Sequence, residues 1–219
     1  MEFIKIESQD ALEEAIRSLG GPERLVVCGK SDEAERLIEA LEFNNDSSEQ
    51  MIQGSLEINA LEWFSERKNE LQEDWDMDLS ENEGEWLGEP DVKQGFFLAT
   101  DILSSKPLSD LFALKINVKE SWMIPAALKY GGWNDCPSPE IHCAVWKFWQ
   151  EKYGAEIIGV SGDVIEAYVR NPPKTKEDAM ELARQQYLYC TDIVHQGVET
   201  ISNLAAAILN HNLWFFWWD

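Results

Sequence analysis

Apolar and polar residues alternate over Phe3–Glu7, the period expected of a strand with one wet face. Asp10-Ala11-Leu12-Glu13 then has the form of a capping box. Leu12, Ala15, Ile16 and Leu19 follow at helical spacing, and Gly20-Gly21-Pro22 stops the run. Arg24–Cys28 is a short apolar stretch that reads as a buried strand. Ser31 caps a second helix with Ala34, Leu37, Ile38 and Leu41 on one face. The front of the chain is therefore predicted to be β-α-β-α. Beyond it, Asn44–Gly54 predicts a polar loop, Leu56 and Ile58 a short strand, and Asn59 the cap of a helix carrying Leu61, Trp63, Phe64 and Leu71.

The second half is more regular. Phe96-Phe97-Leu98 reads as a strand, and Leu111–Val118 alternates with Phe112, Leu114, Ile116 and Val118 on one face. Pro125 opens a short helix that ends at Gly131-Gly132, and Ser138-Pro139-Glu140 opens a long one that stops at Gly154. Ser161-Gly162-Asp163 joins two strands as a hairpin, Thr175 starts a further helix after Pro172-Pro173, and Thr200–Leu209 is another. An aromatic strand closes the chain. The order β (111–118), α (139–153), β (155–160), β (164–169), α (176–189), β (213–218) is that of a ferredoxin-like, split β-α-β sandwich. The expected class is α+β, with an N-terminal part over 1–94 and a C-terminal domain over 95–219.

Charge changes this picture at one place. The chain carries 41 Asp and Glu against 18 Lys and Arg, a net of −23. Residues 1–94 hold 26 acids and 8 bases, so most of the imbalance lies in the front half. Residues 70–91 contain ten acids and no base, interleaved with Trp75, Met77, Leu79, Trp86 and Leu87. Repulsion among the acids opposes a compact unit, which predicts a long loop pinned by its apolar residues. Such a field repels nucleic-acid phosphates and anionic lipid and attracts basic proteins. The longest apolar stretches, Leu204–Leu209 and Leu213–Trp218, are too short to span a bilayer. The start of the chain has neither a basic region nor a long apolar run, so no signal peptide is predicted. Four cysteines in 219 residues suit reduced thiols and a cytoplasmic setting.

Several short motifs concentrate in the second half. They are Gly131-Gly132-Trp133-Asn134-Asp135-Cys136-Pro137, His142 early in the next helix, Tyr153-Gly154-Ala155-Glu156, Pro172-Pro173, Gln186-Tyr187-Leu188-Tyr189-Cys190-Thr191-Asp192, and Trp217-Trp218-Asp219. In this combination, over about residues 111–219, the chain resembles a bacterial family of unknown function. It departs at Thr191, where the family usually has proline. The resemblance implies no activity and no cofactor.

Chemistry is available at the same motifs. Cys136 precedes a helix N-terminus, where the helix dipole favours a thiolate, and His142 lies within two turns as a candidate base. Asp135 or Asp192 is placed to orient the imidazole. Cys136, His142 and Asp192 are thus the candidate catalytic set, and Trp133, Asn134, Asp135, Tyr189 and Cys190 the candidate binding residues. The bland alternative is that Cys136-Pro137 packs the turn and that His142, in a stripe with Trp146, Trp149 and Tyr153, is a core histidine. Cys136, His142, Cys143, Cys190 and His195 lack any Cys-x2-Cys pair, so no metal site is predicted. Gly29-Lys30-Ser31 resembles the end of a phosphate loop, but Arg24 stands where its first glycine is needed. The aromatic set Trp122, Trp133, Trp146, Trp149 and Trp214–Trp218 would serve as core or as the lining of a ligand pocket. The expectation is a cytoplasmic binding protein that uses its acidic front face on a basic protein partner, in the manner of an immunity or inhibitor protein. An enzyme built on the Cys/His set is the alternative, and no cofactor is expected. Oligomeric state is left open.

Overall fold

The computed structural model describes residues 1–43, 47–74, 79–88, 95–101 and 104–219. Six strands are seen: β1 (Glu2–Ile6), β2 (Arg24–Gly29), β3 (Leu111–Ile116), β4 (Ala155–Val160), β5 (Val164–Val169) and β6 (Leu213–Trp217). They form one mixed sheet in the order β1-β3-β2-β4-β5-β6, with β2 and β4 parallel and every other neighbouring pair antiparallel. The α+β class and the N-terminal β-α elements are as the sequence predicts.

The strand order corrects one expectation. A split β-α-β sandwich would set the C-terminal strands beside one another with their first and third members adjacent. Here β2, from the front of the chain, lies between β3 and β4. The reason is visible in its burial: all six residues of Arg24–Gly29 are buried, so β2 needs a neighbour along both edges and cover on both faces.

Each strand sends alternate side chains to opposite faces. Val26, Leu114, Ile116, Trp214, Phe216 and Trp218 join the larger core; Leu25, Val27, Ala113, Leu213, Phe215 and Trp217 join or pack against a smaller one. The larger core is covered by α2 (Ser31–Phe43), α3 (Ser48–Ser55), α4 (Ala60–Asp74), α6 (Ile124–Leu128), α7 (Pro139–Tyr153), α8 (Lys176–Tyr189) and α9 (Ile201–Ile208). The smaller one is covered by α1 (Ala11–Ser18) and the segment around Phe96–Ala99.

Four local expectations change. Residues 48–55 are helical, not loop, because Ser47 and Gln50 form a reciprocal capping box that starts α3. Leu56 and Ile58 then lie in the four-residue connection that ends at Asn59, whose Oδ1 caps α4 through the N–H groups of Leu61 and Glu62, so no strand forms there. Phe97–Ala99 is a turn of 3-10 helix, since Phe97 and Leu98 donate their N–H groups to the buried Glu166 carboxylate, each at 2.8 Å, instead of to a strand. The Asp10 side chain accepts no capping hydrogen bond.

Of the acid-rich segment predicted as a loop, 70–74 complete α4 and Leu79–Glu83 form a short helix, α5. Trp86 packs on the main core with Lys176 Nζ 4.7 Å above its ring, and Leu87 is exposed. Residues 75–78 and 89–91, including Trp75 and Met77, lie outside the described residues.

Candidate functional site

The motif loop is built by α6 and α7. Lys129, in the left-handed region, ends α6 and turns the chain into Tyr130-Gly131-Gly132. Gly131 has φ +106°, and a Cβ there would lie 2.0 Å from the Pro137 carbonyl oxygen and 2.7 Å from the His142 ring. Only glycine allows the loop to close this tightly over the imidazole. Gly132 N–H donates to the carbonyls of Cys136 and Pro137, which closes the loop immediately before α7 begins.

The eight candidate catalytic and binding residues lie on adjoining segments, but His142 is hydrogen-bonded to Tyr189 and Cys136, and neither Asp135 nor Asp192 takes the orienting place expected for it. Trp146 Nε1 donates to the Tyr189 hydroxyl at 2.8 Å, the hydroxyl meets His142 Nδ1 at 2.5 Å, and His142 Nε2 meets Cys136 Sγ at 3.4 Å. An indole N–H can only donate, so the Tyr189 oxygen accepts from Trp146 and its own O–H is free to donate to Nδ1. With that donation the imidazole proton lies on Nε2, facing the Cys136 sulfur; the reverse tautomer, with Nδ1–H donating to the second lone pair of the hydroxyl, fits the same distances. Asp135 takes hydrogen bonds from Arg67, on α4, and from Thr191 at 3.4 Å. Asn134 Nδ2 donates to the backbone oxygen of Asp219 at 2.9 Å, and Asp219 N–H donates to Asp192 Oδ2 at 3.1 Å. Cys190 Sγ donates to the Trp217 carbonyl at 2.9 Å. Trp133 rests edge-on against Tyr130.

The environment of this network decides its chemistry. His142 is fully buried, and burial lowers its pKa to about 3, so the ring is neutral. Burial also pushes the Cys136 thiol well above its usual value, with Cys190 and Asp135 adding to the effect. Cys190 is shifted the same way, and burial takes Cys28 and Cys143 to about 12. An imidazole whose pKa burial lowers to about 3 is a poor base for a thiol whose pKa burial raises. The geometry therefore makes Cys136, His142 and Tyr189 a closed hydrogen-bond chain inside an aromatic cluster of Tyr130, Trp146, Trp149, Phe216 and Trp218. Among the described residues, no three His, Cys, Asp or Glu side chains converge as metal ligands.

Beside the network, where the sheet ends at β6, is a cleft of about 600 Å³. One wall is a turn of π-helix, Ile193–Val198, together with α9. The other is Phe97 and Leu98, and β6 runs between them. The lining is mostly apolar, with Asp163, Asp192, Gln186 and Gln196 as its polar members. The π-helix directly continues the Tyr189–Asp192 motif, and such insertions often mark functional segments. Of the aromatic set, Trp146, Trp149, Trp214, Phe216 and Trp218 are core; Trp214 also borders the cleft, which Phe215 and Trp217 line.

Asp163 and Gln186 line the cleft but are not among the candidate site residues named from the sequence. Asp163 reads only as turn chemistry, yet its carboxylate accepts from Trp217 Nε1 at 3.0 Å and Ser161 Oγ at 3.2 Å. Gln186 stands on the apolar stripe of α8 as a buried amide, and a glutamine in such a stripe is the signal that was available. Arg67, the partner of Asp135, sits in an otherwise acid-rich helix far away in sequence.

No helix among the described residues is long and apolar enough to cross a membrane. No curated protein and no solved structure matches the chain. Residues 113–219, just under half of the chain, match the family model of a domain of unknown function, DUF4253.

Proposed function

We propose that this chain is a cytoplasmic binding protein that takes a basic protein partner at the cleft beside β6. The observation that carries the reading is the cleft itself: an apolar trough of about 600 Å³ with Asp163 and Asp192 in its lining, on a molecule of net charge −23. The apolar lining supplies burial, and the surrounding field speeds encounter with cations and disfavours acidic competitors. Inhibition of a basic toxin is the form of this activity that the charge favours. The enzyme reading is less well supported, because it requires a thiolate at Cys136 and a free base at His142.

The test is capture of partners by the tagged full chain from native lysate, with the Val198→Trp variant, which fills the cleft, run in parallel. A basic protein held at low salt, released at high salt and lost with the variant is expected. A partner held equally by both chains would overturn the placement at the cleft. One retained unchanged through high salt would overturn the electrostatic reading.

A further inference from the structure

The backbone ladder of β6 shows which of its groups point into the cleft. Val169 N–H donates to Asn212 O at 2.8 Å, and Trp218 N–H donates to Asp163 O at 3.1 Å. Between these two bonds the register pairs Ala167 with Trp214 and Ile165 with Phe216. Antiparallel strands exchange hydrogen bonds at every second residue. Asn212, Trp214, Phe216 and Trp218 therefore turn their backbone groups toward β5, and Leu213, Phe215 and Trp217 turn theirs away from the sheet. Cys190 takes the Trp217 carbonyl. The N–H and C=O groups of Leu213 and Phe215 have no hydrogen-bond partner among the described residues.

Two residues of β6 thus offer a donor and an acceptor each, repeated at the rise of a strand, about 6.8 Å apart. Both residues line the cleft and are half-buried, so water satisfies these groups poorly. Two side-chain donors in the same lining, Gln186 Nε2 and Trp214 Nε1, are buried and without an acceptor. Such a row of groups is what an added strand satisfies through its main chain, with alternate side chains falling into the flanking walls. The π-helix on one side and Phe97 and Leu98 on the other are the walls that the side chains of such a strand would meet. A second copy of this chain is a poor occupant, because each copy carries −23.

We infer that an extended, basic segment of the partner pairs with Leu213 and Phe215 as a seventh strand on the β6 edge. The inference rests on the binding reading above and names its mode. Strand pairing turns the backbone groups of alternate residues of the incoming segment toward β6 and sends its side chains alternately to the two walls, so the segment is recognised by its backbone and by apolar side chains at every second position on one wall.

The probe is a synthetic peptide of about eight residues alternating Val and Lys, added to the 15N-labelled full chain. Amide exchange at Leu213 and Phe215 is expected to slow at least ~10-fold, while the already bonded Trp214 and Phe216 change little. Single N-methylation of the peptide is expected to weaken binding about 10-fold at every second residue and to leave it unchanged at the others. Binding without protection of Leu213 and Phe215, or equal tolerance of N-methylation throughout, overturns strand pairing while leaving the binding reading intact. A peptide that does not bind, while the captured partner does, overturns it as well. Protection of the same two amides by self-association alone would replace the partner with a second copy. Absence of both peptide binding and partner capture removes both readings.

Discussion

The imidazole of His142 has a hydroxyl on one side and a thiol on the other, and the donor-only indole of Trp146 occupies one lone pair of the hydroxyl, leaving its O–H to donate to Nδ1. The expected state is a neutral ring protonated on Nε2. Nitrogen chemical shifts of His142 should hold that pattern from neutral pH down to about 4.5, since burial lowers its pKa to about 3. A ring that titrates near 6.5 would contradict the assignment. The four thiols should be equally inert in the folded chain and all react once it is unfolded, because each is buried with its pKa raised. Rapid alkylation of Cys136 alone would restore the enzyme reading. Glu166 works in the opposite sense to His142. Burial raises it to about 8 from 4.5, against the pull of two backbone N–H groups, so the folded state holds the extra proton in that interval and stability falls as pH rises toward 8. His142, with its pKa lowered from 6.5, favours the folded state above 6.5 and loses that contribution as pH falls toward 3. Between pH 6.5 and 8 only Glu166 of this pair is changing. Urea denaturation there should show the wild type losing stability and Glu166→Gln losing much less; parallel slopes would contradict this.

At the level of elements, the motif loop depends on one backbone position. Gly131→Ala places a methyl on the Pro137 carbonyl and the imidazole, and the native φ of +106° is strained for any side chain. A loss on the order of 2–4 kcal/mol in urea denaturation is expected, and an unchanged midpoint would contradict the loop geometry. The helices that flank this loop were legible because their signals are local: Ser138-Pro139 opens α7, Gly154 ends it in the left-handed region, and Thr175 caps α8. What misled the pattern lay elsewhere in the chain. Phe96–Leu98 has strand composition, but its N–H groups go to a carboxylate on β5, nearly seventy residues later. The split β-α-β order read from the second half omits β2, because nothing local says that an N-terminal strand inserts between β3 and β4. The candidate residues themselves were legible through motif and helix spacing. The direction of the proton on His142 was not, since it depends on Trp146 and Tyr189 meeting in space. The position of β2 has a consequence for truncation. A fragment starting at residue 95 leaves β3 and β4 without the strand between them and is expected to lack cooperative unfolding. A folded fragment, seen by circular dichroism and a sharp melt, would contradict that expectation.

On the scale of the whole molecule, the sheet ends on one side at β1 and on the other at β6, and these two edges are treated differently. β1 carries charged residues that pair across to β3 and its flank, as in Lys115 with Glu2 and Lys5 with Asp110. Charges of this kind discourage strand addition. β6 is Leu-Trp-Phe-Phe-Trp, without a charge, and is recessed between walls. A net charge of −23 repels other copies of the chain, and a cationic segment is the occupant proposed for this recessed apolar edge. The composition made the charge legible from the sequence, and the aromatic strand as well. The cleft was not, because its walls come from residues near 97, 193–198 and 204–208.

The central claim is that this cleft binds a basic partner, and the direct measurement is the affinity of the captured partner for wild type and Val198→Trp at low and high salt. The account predicts a dissociation constant at least ~10-fold weaker at about 300 mM than at about 50 mM salt, and a comparable further loss with Val198→Trp at both. An affinity indifferent to salt, or one that Val198→Trp leaves unchanged, would contradict it.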